Sequence, residues 1–228
     1  MSNSSLICYT KISPNSNNPR NKKISKITIH HMAGNLSIES CGAEFASPER
    51  KGSSNYGIGT DGRIGMYVEE KNRAWTSSSA SNDNMAVTIE VANDVIGGNW
   101  HVSDKALASL INLCTDICKR NGIERLNFTG DKNGNLTMHK YFAATECPGA
   151  YLESKFPYIA DEVNKRLNAK NTKKLERGND IVWELMNGKH KVKITEVQKA
   201  VKALDKAKNN TEFNSLYWII YKLVNGNG

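Results

Sequence analysis

The amino-acid sequence predicts an α/β domain over residues 1–168, followed by a small all-α module at the C-terminus. In the first 168 residues, segments with alternating apolar residues, typical of β-strands, are interleaved with segments of helical periodicity. Residues 169–178 are polar and lysine-rich, which is typical of a linker, and residues 179–228 contain three short helical patterns. About 50 helical residues form only a marginal core, so we expect this module to dock on the first domain or to associate with a second copy.

Four segments have the alternation of a β-strand: residues 24–30, 64–68, 86–91 and 135–139. In three of them, a residue capable of metal coordination or acid–base chemistry occupies the face opposite to the apolar residues. These three residues are His30, Glu90 and His139. For Glu90 the pattern leaves open whether its face of the strand is exposed to solvent or buried.

The predicted helices begin at residues whose side chains can cap a helix. Ser37 precedes a short helix, and Ser103 precedes a longer one that ends at Gly122. Pro157 is predicted to lie in the first turn of a last helix. The first two of these helices fall between predicted strands and the last follows the final strand, which gives the alternation expected of an α/β domain.

Two stretches lack periodicity and are predicted to be loops: residues 1–23, and residues 72–84, which contain Trp75. A loop as long as the second is often functional in a compact domain. Gly62 lies in a predicted hairpin turn just before the strand at residues 64–68.

The positive charge of the chain is concentrated at its C-terminal end. The formal net charge is +8; residues 169–228 carry 12 Lys+Arg against 6 Asp+Glu, and the first 168 residues carry 19 against 17. This asymmetry favours an anionic partner such as a nucleic acid, a membrane surface or an anionic polymer, although solvated lysines on helix faces explain it equally well. No stretch approaches the ~20 apolar residues of a membrane helix, and no signal peptide is evident at the N-terminus.

The five cysteines do not form an evenly spaced framework, which indicates a protein made in a reducing compartment. Cys114 and Cys118 are one helical turn apart, as expected for the buried face of a helix. Cys147 combines with His30 and His139 to give nitrogen and sulfur donors that suit zinc.

Three protein donors would leave a fourth metal position for water, which is typical of a catalytic site, and Glu90 would be its acid–base group. Two alternatives remain open from the residue types. Cys147 could instead be a nucleophile with His139 as its base. It could also be a small buried residue before a turn.

Four motifs follow one another along the chain. They are residues 28–34 (Thr-Ile-His-His-Met-Ala-Gly), residues 55–62 (Asn-Tyr-Gly-Ile-Gly-Thr-Asp-Gly), residues 88–93 (Thr-Ile-Glu-Val-Ala-Asn), and His139 with Cys-Pro-Gly starting at residue 147. Together they resemble the type-2 N-acetylmuramoyl-L-alanine amidase family, in particular phage and prophage endolysins of clostridia and bacilli. The resemblance covers roughly residues 5–168, and four motifs in this order are more specific than any one alone.

The resemblance implies a central mixed β-sheet flanked by helices, a fold shared with peptidoglycan-recognition proteins, and one catalytic Zn²⁺ in a surface groove. The implied reaction is hydrolysis of the amide that joins N-acetylmuramic acid to L-alanine of the peptidoglycan stem peptide. The zinc ligands of the family fall on His30, His139 and Cys147, and its catalytic glutamate falls on Glu90. His31 would then be structural.

Two positions depart from patterns found in the family. The residue two before the third ligand is lysine in many bacterial members; here it is Thr145, which can donate a hydrogen bond to a developing oxyanion but brings no charge. The catalytic tyrosine of another branch falls on Ser54, next to Asn55. We expect Asn55 and Trp75 to contact the substrate.

The resemblance also implies partners and a place of action. We expect peptidoglycan as the substrate, no nucleic acid, no membrane span, and an anionic cell-wall polymer or a second copy as the partner of the C-terminal module. An endolysin would be made in the bacterial cytoplasm without a signal peptide and would lyse the host cell after release to the wall. The alternative is a peptidoglycan-binding module on the same fold that lacks catalysis.

Overall fold

The computed structural model describes the backbone of residues 2–186 and the side chains of residues 2–168. The chain divides into two compact units, Met1–Leu167 and Asn168–Gly228. The helices predicted beyond residue 186 lie outside the described residues. No described helix has the length and apolar character needed to cross a membrane.

Eight strands in the described residues form two sheets. They are β1 (Tyr9–Thr10), β2 (Ser16–Asn17), β3 (Lys26–His31), β4 (Tyr56–Ile58), β5 (Ile64–Met66), β6 (Arg73–Ala74), β7 (Ala86–Val91) and β8 (Leu136–Met138). Six of them form a mixed sheet in the order β1-β5-β4-β7-β3-β8, in which the hairpin of β4 and β5 is the antiparallel pair. β2 and β6 form a separate antiparallel pair. The α/β class and the mixed sheet are therefore confirmed.

Four α-helices accompany the sheets in the described residues. They are α1 (Ile38–Ala46), α2 (Ala80–Met85), α3 (Asp104–Asn121) and α4 (Ala150–Met186). The predicted caps are confirmed: the side chains of Ser37 and Ser103 accept hydrogen bonds from the backbone N–H groups of Ser40 and Ala106, each at 3.1 Å. Gly122 ends α3 in the left-handed conformation, with φ of 68°.

The main hydrophobic core lies between one face of the six-stranded sheet and helices α3 and α4. Its fully buried members include Ile27, Ile29, Val87, Ile89, Leu110, Leu113 and Phe156. Cys114 and Cys118 lie in this core as expected, and all five cysteines are free thiols. A smaller cluster under α1, on the opposite face of the sheet, contains Cys41, Phe45 and Tyr67.

The prediction of an unbroken loop over residues 72–84 is wrong, since this stretch contains β6 and most of α2. The sequence is polar because the segment packs through hydrogen bonds rather than through apolar residues. Ser79 caps α2 by accepting a hydrogen bond from the backbone N–H of Asn82 at 3.4 Å. Asn82 and Asp83 in this helix are buried.

The prediction for the last helix is wrong in its start and in its end. The helix begins at Ala150, immediately after Gly149, so Pro157 lies inside it rather than in its first turn. The backbone remains helical through the predicted linker, residues 169–178, and on to Met186, so the first of the three predicted C-terminal helices does not begin separately. Whether residues 169–178 connect two functional domains stays a prediction.

Arg20 links the N-terminal segment to residues 70–86, which cover the face of the sheet opposite to the main core. Its side chain is buried, and its guanidinium donates hydrogen bonds of 2.7–3.1 Å to five backbone carbonyl oxygens. These belong to Glu70, Asn72, Asp83, Asn84 and Ala86. Desolvation lowers the pKa of Arg20 to about 10, so the group stays charged at neutral pH. One side chain thus orders both ends of the covering segment.

We expect Arg20→Ala to lower the free energy of unfolding by about 3 kcal/mol, because five carbonyl oxygens lose their donor. Arg20→Lys should lose most of the same stability, since an ammonium has three donors rather than five. Urea unfolding followed by circular dichroism measures both changes. Lys22→Ala is the control; this exposed residue should change stability by less than about 0.5 kcal/mol. Equal stability of Arg20→Ala and the control would contradict the role of Arg20.

Candidate metal centre and its groove

A row of threonines lies beneath the candidate site, on the face of the sheet opposite to the main core. Thr28 on β3 is in register with Thr88 on β7 and with Thr137 on β8, and all three are fully buried. The Oγ1 atoms of Thr28 and Thr137 are 2.9 Å apart. Thr28 also accepts a hydrogen bond from Asn82 Nδ2, and Thr88 pairs with Thr76. The polar face is therefore buried beneath α2 and the chain that leads into it, which answers the question that the sequence left open.

Two residues further along each strand, a second row carries the predicted site residues. His30 at the end of β3 is in register with Glu90 on β7, and His30 Nδ1 lies 4.0 Å from Glu90 Oε1. His139 directly follows β8, and its ring centroid is 4.6 Å from that of His30. Because side chains alternate along a strand, these residues share the face of the threonine row.

Cys147 reaches this row from the loop that precedes α4. Its Sγ lies 3.7 Å from His30 Nδ1 and accepts a hydrogen bond from the backbone N–H of His31 at 3.4 Å. The His31 ring itself packs edge-on against Trp100, with the centroids 5.0 Å apart. One ligand atom each from His30, His139 and Cys147 lies within 4.8 Å of the others.

The hydrogen bonding and protonation of these residues suit a metal ion. His30 Nε2 and His139 Nε2 are buried and have no hydrogen-bond partner in the described part of the chain, which is unusual for buried polar atoms. Burial and the nearby histidines lower the pKa of His30 well below its usual value, and burial also lowers that of His139. Both imidazoles are therefore neutral near pH 7, the state that binds metal. Two nitrogens and a sulfur suit zinc.

Glu90 is held in a dry environment by the strand beside it. Desolvation raises the pKa of Glu90 to about 8, and the positive charge of Arg50 opposes this rise. Its register partner on β4 is Gly57, where a Cβ would lie 2.5 Å from Tyr67 Oη. The ring of Tyr67 fills that space, and its hydroxyl donates a hydrogen bond to the carbonyl of Ile38 at 2.8 Å. The side chain of Glu90 is only 14% exposed as a result.

The donor cluster opens into a groove of about 730 Å³ that also contains two other predicted site residues. Trp75 lines this groove, and its Nε1 donates a hydrogen bond to Asn17 Oδ1 at 2.6 Å. Thr145 lines it as well, and its Oγ1 accepts a hydrogen bond from the backbone N–H of Cys147 at 3.2 Å. Trp75 and Thr145 are therefore positioned to meet a ligand.

Asn55, expected to contact the substrate, does not line the groove. Its side chain is fully buried, donating to the carbonyl of Val68 at 3.1 Å and accepting from the backbone N–H of Thr88 at 3.1 Å. It acts as a bridge between the chain after β5 and strand β7. Ser54, beside it, is fully buried too and bonds the carbonyl of Tyr56.

Sequence reasoning missed three cationic residues of the groove: Arg50, Lys51 and Arg73. Arg50 ends a three-residue 3-10 helix (Pro48–Arg50), Lys51 follows it, and Arg73 lies on a two-residue strand, so each element is too short for a periodic pattern to mark a face. Asn17, which holds Arg73 and Trp75, falls in a stretch that was predicted to be a loop. No sequence signal connected these residues with the groove.

Several solved structures have the same fold. They include PlyL, a mutant endolysin from Bacillus subtilis and the catalytic domain of PlyG, which are 14%, 18% and 15% identical to this chain with TM-scores of 0.55, 0.53 and 0.53. The alignments cover 68%, 68% and 69% of this chain and 95%, 97% and 93% of those chains. At such identities the likeness establishes the fold alone. No curated protein sequence matches the chain.

A His-His-Cys cluster at the edge of this mixed sheet is typical of zinc amidases. The family model of N-acetylmuramoyl-L-alanine amidase, Amidase_2, matches residues 20–150, more than half of the chain. The chain therefore belongs to the N-acetylmuramoyl-L-alanine amidase family. The matched range contains the three donors and Glu90, so the resemblance drawn from the four motifs is confirmed.

We expect the protein to bind one equivalent of Zn²⁺ per chain, because three donor atoms converge on one point. His139→Ala should weaken this binding by more than 100-fold, since two donors remain. Equilibrium dialysis of the chelator-treated protein against Zn²⁺, with metal analysis, measures the stoichiometry and affinity. His101→Ala is the matched control; His101 pairs with Asp94 away from the cluster. Equal zinc affinity of the two variants would contradict the assignment.

Proposed function

We propose that this chain is a zinc-dependent hydrolase that cleaves the amide between N-acetylmuramic acid and L-alanine of the peptidoglycan stem peptide. One observation carries the proposal: three convergent metal-donor atoms lie beside a buried carboxyl group at the base of a groove. Membership of the amidase family supports the reaction type.

The proposed zinc ligands are His30, His139 and Cys147. When bound, zinc supplies a Lewis acid and lowers the pKa of a bound water towards about 7. The fold presents both imidazoles in the neutral state through burial. The backbone N–H of His31 donates to the sulfur of Cys147 and orients it, as groups around metal ligands commonly do.

Glu90 is the proposed general acid–base. It would remove a proton from the attacking water and return it to the amine nitrogen that departs. Its Oε2 is buried with no hydrogen-bond partner among the described residues, so this oxygen is free to engage a ligand. Desolvation raises the pKa of Glu90 above that of an exposed glutamate, which suits a group that both takes up and returns a proton.

Thr145 is the proposed hydrogen-bond donor to the carbonyl oxygen of the scissile amide. Because its Oγ1 accepts from the backbone N–H of Cys147, its hydroxyl proton remains available for donation. The contribution is a hydrogen bond without charge, smaller than that of a lysine. Trp75 offers an indole surface in the same groove for contact with sugar or peptide.

A Cys–His peptidase is a weaker explanation of the same residues. Burial raises the pKa of the Cys147 thiol, whereas a cysteine nucleophile needs a lowered pKa. The sulfur also contacts groups of two different residues, His30 and His31, as expected for a positioned ligand.

We further propose that the enzyme is a phage or prophage endolysin that acts on the wall after release from the bacterial cytoplasm. An endolysin from Bacillus subtilis is among the structures of the same fold. The excess of positive charge in residues 169–228 supports an anionic wall polymer as the partner of the C-terminal module; association with a second copy stays a prediction.

We expect Glu90→Gln to reduce kcat by at least 100-fold while zinc binding is retained, because the amide keeps the shape but cannot accept the proton. The assay follows new alanine amino termini released from purified peptidoglycan. Glu124→Gln, an exposed residue, is the control for the loss of one negative charge. A Glu90→Gln variant as fast as the control would exclude Glu90 as the base.

Removing the metal with a chelator should abolish release of alanine amino termini, and added Zn²⁺ should restore it, because activation of the water requires the ion. The same peptidoglycan assay measures both steps. Cleavage that persists in the metal-free protein would refute the zinc mechanism. Tight binding to peptidoglycan with no cleavage in either state would favour a binding module without catalysis.

A further inference from the structure

One amide oxygen holds two side chains of the groove wall. Asn17 on β2 is in register with Arg73 on β6, and its Oδ1 accepts hydrogen bonds from Arg73 Nε at 3.0 Å and from Nη2. The same oxygen accepts from Trp75 Nε1 at 2.6 Å. The guanidinium and the indole are therefore fixed side by side, and both line the groove.

The acceptor that positions Arg73 is neutral, so the positive charge of Arg73 is not compensated. Other arginines of the described residues form ion pairs: Arg63 with Glu39, and Arg120 with Glu70. Arg73 has no carboxylate within ion-pair distance in the part of the chain that the structure describes. Its Nη1 is not engaged by Asn17, which leaves the end of the planar guanidinium available to a ligand.

The neighbouring wall adds to the positive potential. Arg50 and Lys51 line the same groove. A Cβ placed on Gly52 would lie 3.8 Å from Arg50 Nη1 and 3.7 Å from the backbone oxygen of Trp75, so the Arg50 side chain lies close to the chain that carries the indole. These cations reinforce one another as an anion-binding wall.

None of the acidic residues that line the groove, Glu44, Asp83 and Glu90, forms an ion pair with Arg73. The carboxylate of Asp83 is occupied by hydrogen bonds from the backbone N–H groups of Thr76 and Ser77 and from the Ser77 hydroxyl. Glu90 lies at the donor cluster, and Glu44 is an exposed residue on α1. Arg73 and Trp75 therefore present an unpaired cation and an apolar surface together.

We propose that Arg73, positioned by Asn17 beside Trp75, forms a subsite that binds a carboxylate of the peptide portion of the ligand. A guanidinium matches a carboxylate in a two-point geometry, and the indole packs on the adjacent apolar part. This inference rests on the proposed function, which brings a peptide into the groove. A peptide is favoured over a wall polymer because the subsite shares one groove with the donor cluster and Glu90.

The test compares two synthetic ligands, N-acetylmuramoyl-L-alanyl-glutamic acid and its diamide, which differ only in the peptide carboxylates. Their Kd values are measured by calorimetry on the zinc-loaded Glu90→Gln protein, which prevents turnover. The parent should bind the acid at least tenfold more tightly than the diamide. Arg73→Gln should weaken binding of the acid about tenfold and that of the diamide less than about twofold, which removes the preference.

Asn17→Asp separates positioning from charge. The new carboxylate keeps an oxygen acceptor for Arg73 and Trp75 but compensates the positive charge of the guanidinium. The preference for the acid should therefore fall as in Arg73→Gln, while thermal stability is kept. A purely structural role for Asn17 would leave the preference intact. Lys71→Gln is the control. Lys71 is exposed and lies two residues from Arg73, so this substitution also removes one positive charge, but outside the groove.

Several outcomes would overturn the subsite. The parent could bind both ligands equally, Arg73→Gln could weaken both in the same proportion, or a glycerol-phosphate oligomer could bind more tightly than the acid with the same dependence on Arg73. Failure of the proposed function looks different. In that case the parent enzyme cleaves neither ligand, while the acid preference still depends on Arg73.

Discussion

The in-register parallel pairing of β7, β3 and β8 is the constraint on which the site depends. It aligns Thr28 with Thr88 and with Thr137, and it aligns His30 with Glu90 at the next position on the same face. A slip of one residue between strands would send the aligned side chains to opposite faces of the sheet. The apolar face of the same strands resists that slip, because Ile and Val residues would then leave the core. Burial on one face thus fixes the geometry of the chemistry on the other.

A row of buried threonines requires a cover that satisfies its hydroxyl groups. The chain from β6 through α2 supplies this cover with short polar side chains, and Asn82 bonds both Thr28 and Ser77. Arg20 then ties the cover down through carbonyl oxygens rather than through apolar contacts. The outer surface of the same cover carries Trp75 and forms one wall of the groove. The inner side of this segment therefore stabilises the fold, and its outer side lines the groove.

Strand alternation and capping made most of the α/β domain predictable from the sequence. The period of two placed His30, Glu90 and His139 on one face, and the side chains of Ser37 and Ser103 marked where helices begin. Residue type suggested Cys147 as the third donor and the family motifs supported it, but its approach to the strands depends on a loop that no periodicity describes. Local sequence patterns therefore predicted the site residues on regular strands but not those on irregular chain.

The remainder of the site depends on contacts between residues far apart in sequence. Asn17 and Arg73 meet only because two short strands pair. In the sequence, Arg20 is indistinguishable from a surface arginine, because its five acceptors lie 50 or more residues away. Asn55 illustrates a different difficulty. A residue inside a family motif was expected at the ligand, yet its side chain bridges the chain after β5 and strand β7. Polar residues carry no signal that separates structural bonding from ligand contact until the partners are known.

The absence of a side chain at Gly57 on β4 affects the environment of the Glu90 carboxyl group on the neighbouring strand β7. The space beside Glu90 is filled by the ring of Tyr67, which is anchored at the carbonyl of Ile38. A methyl group at residue 57 would push this ring aside and admit water next to the carboxyl group. The desolvation of Glu90 therefore depends on Gly57 and Tyr67, two residues that carry no charge near neutral pH and take no part in the proposed reaction.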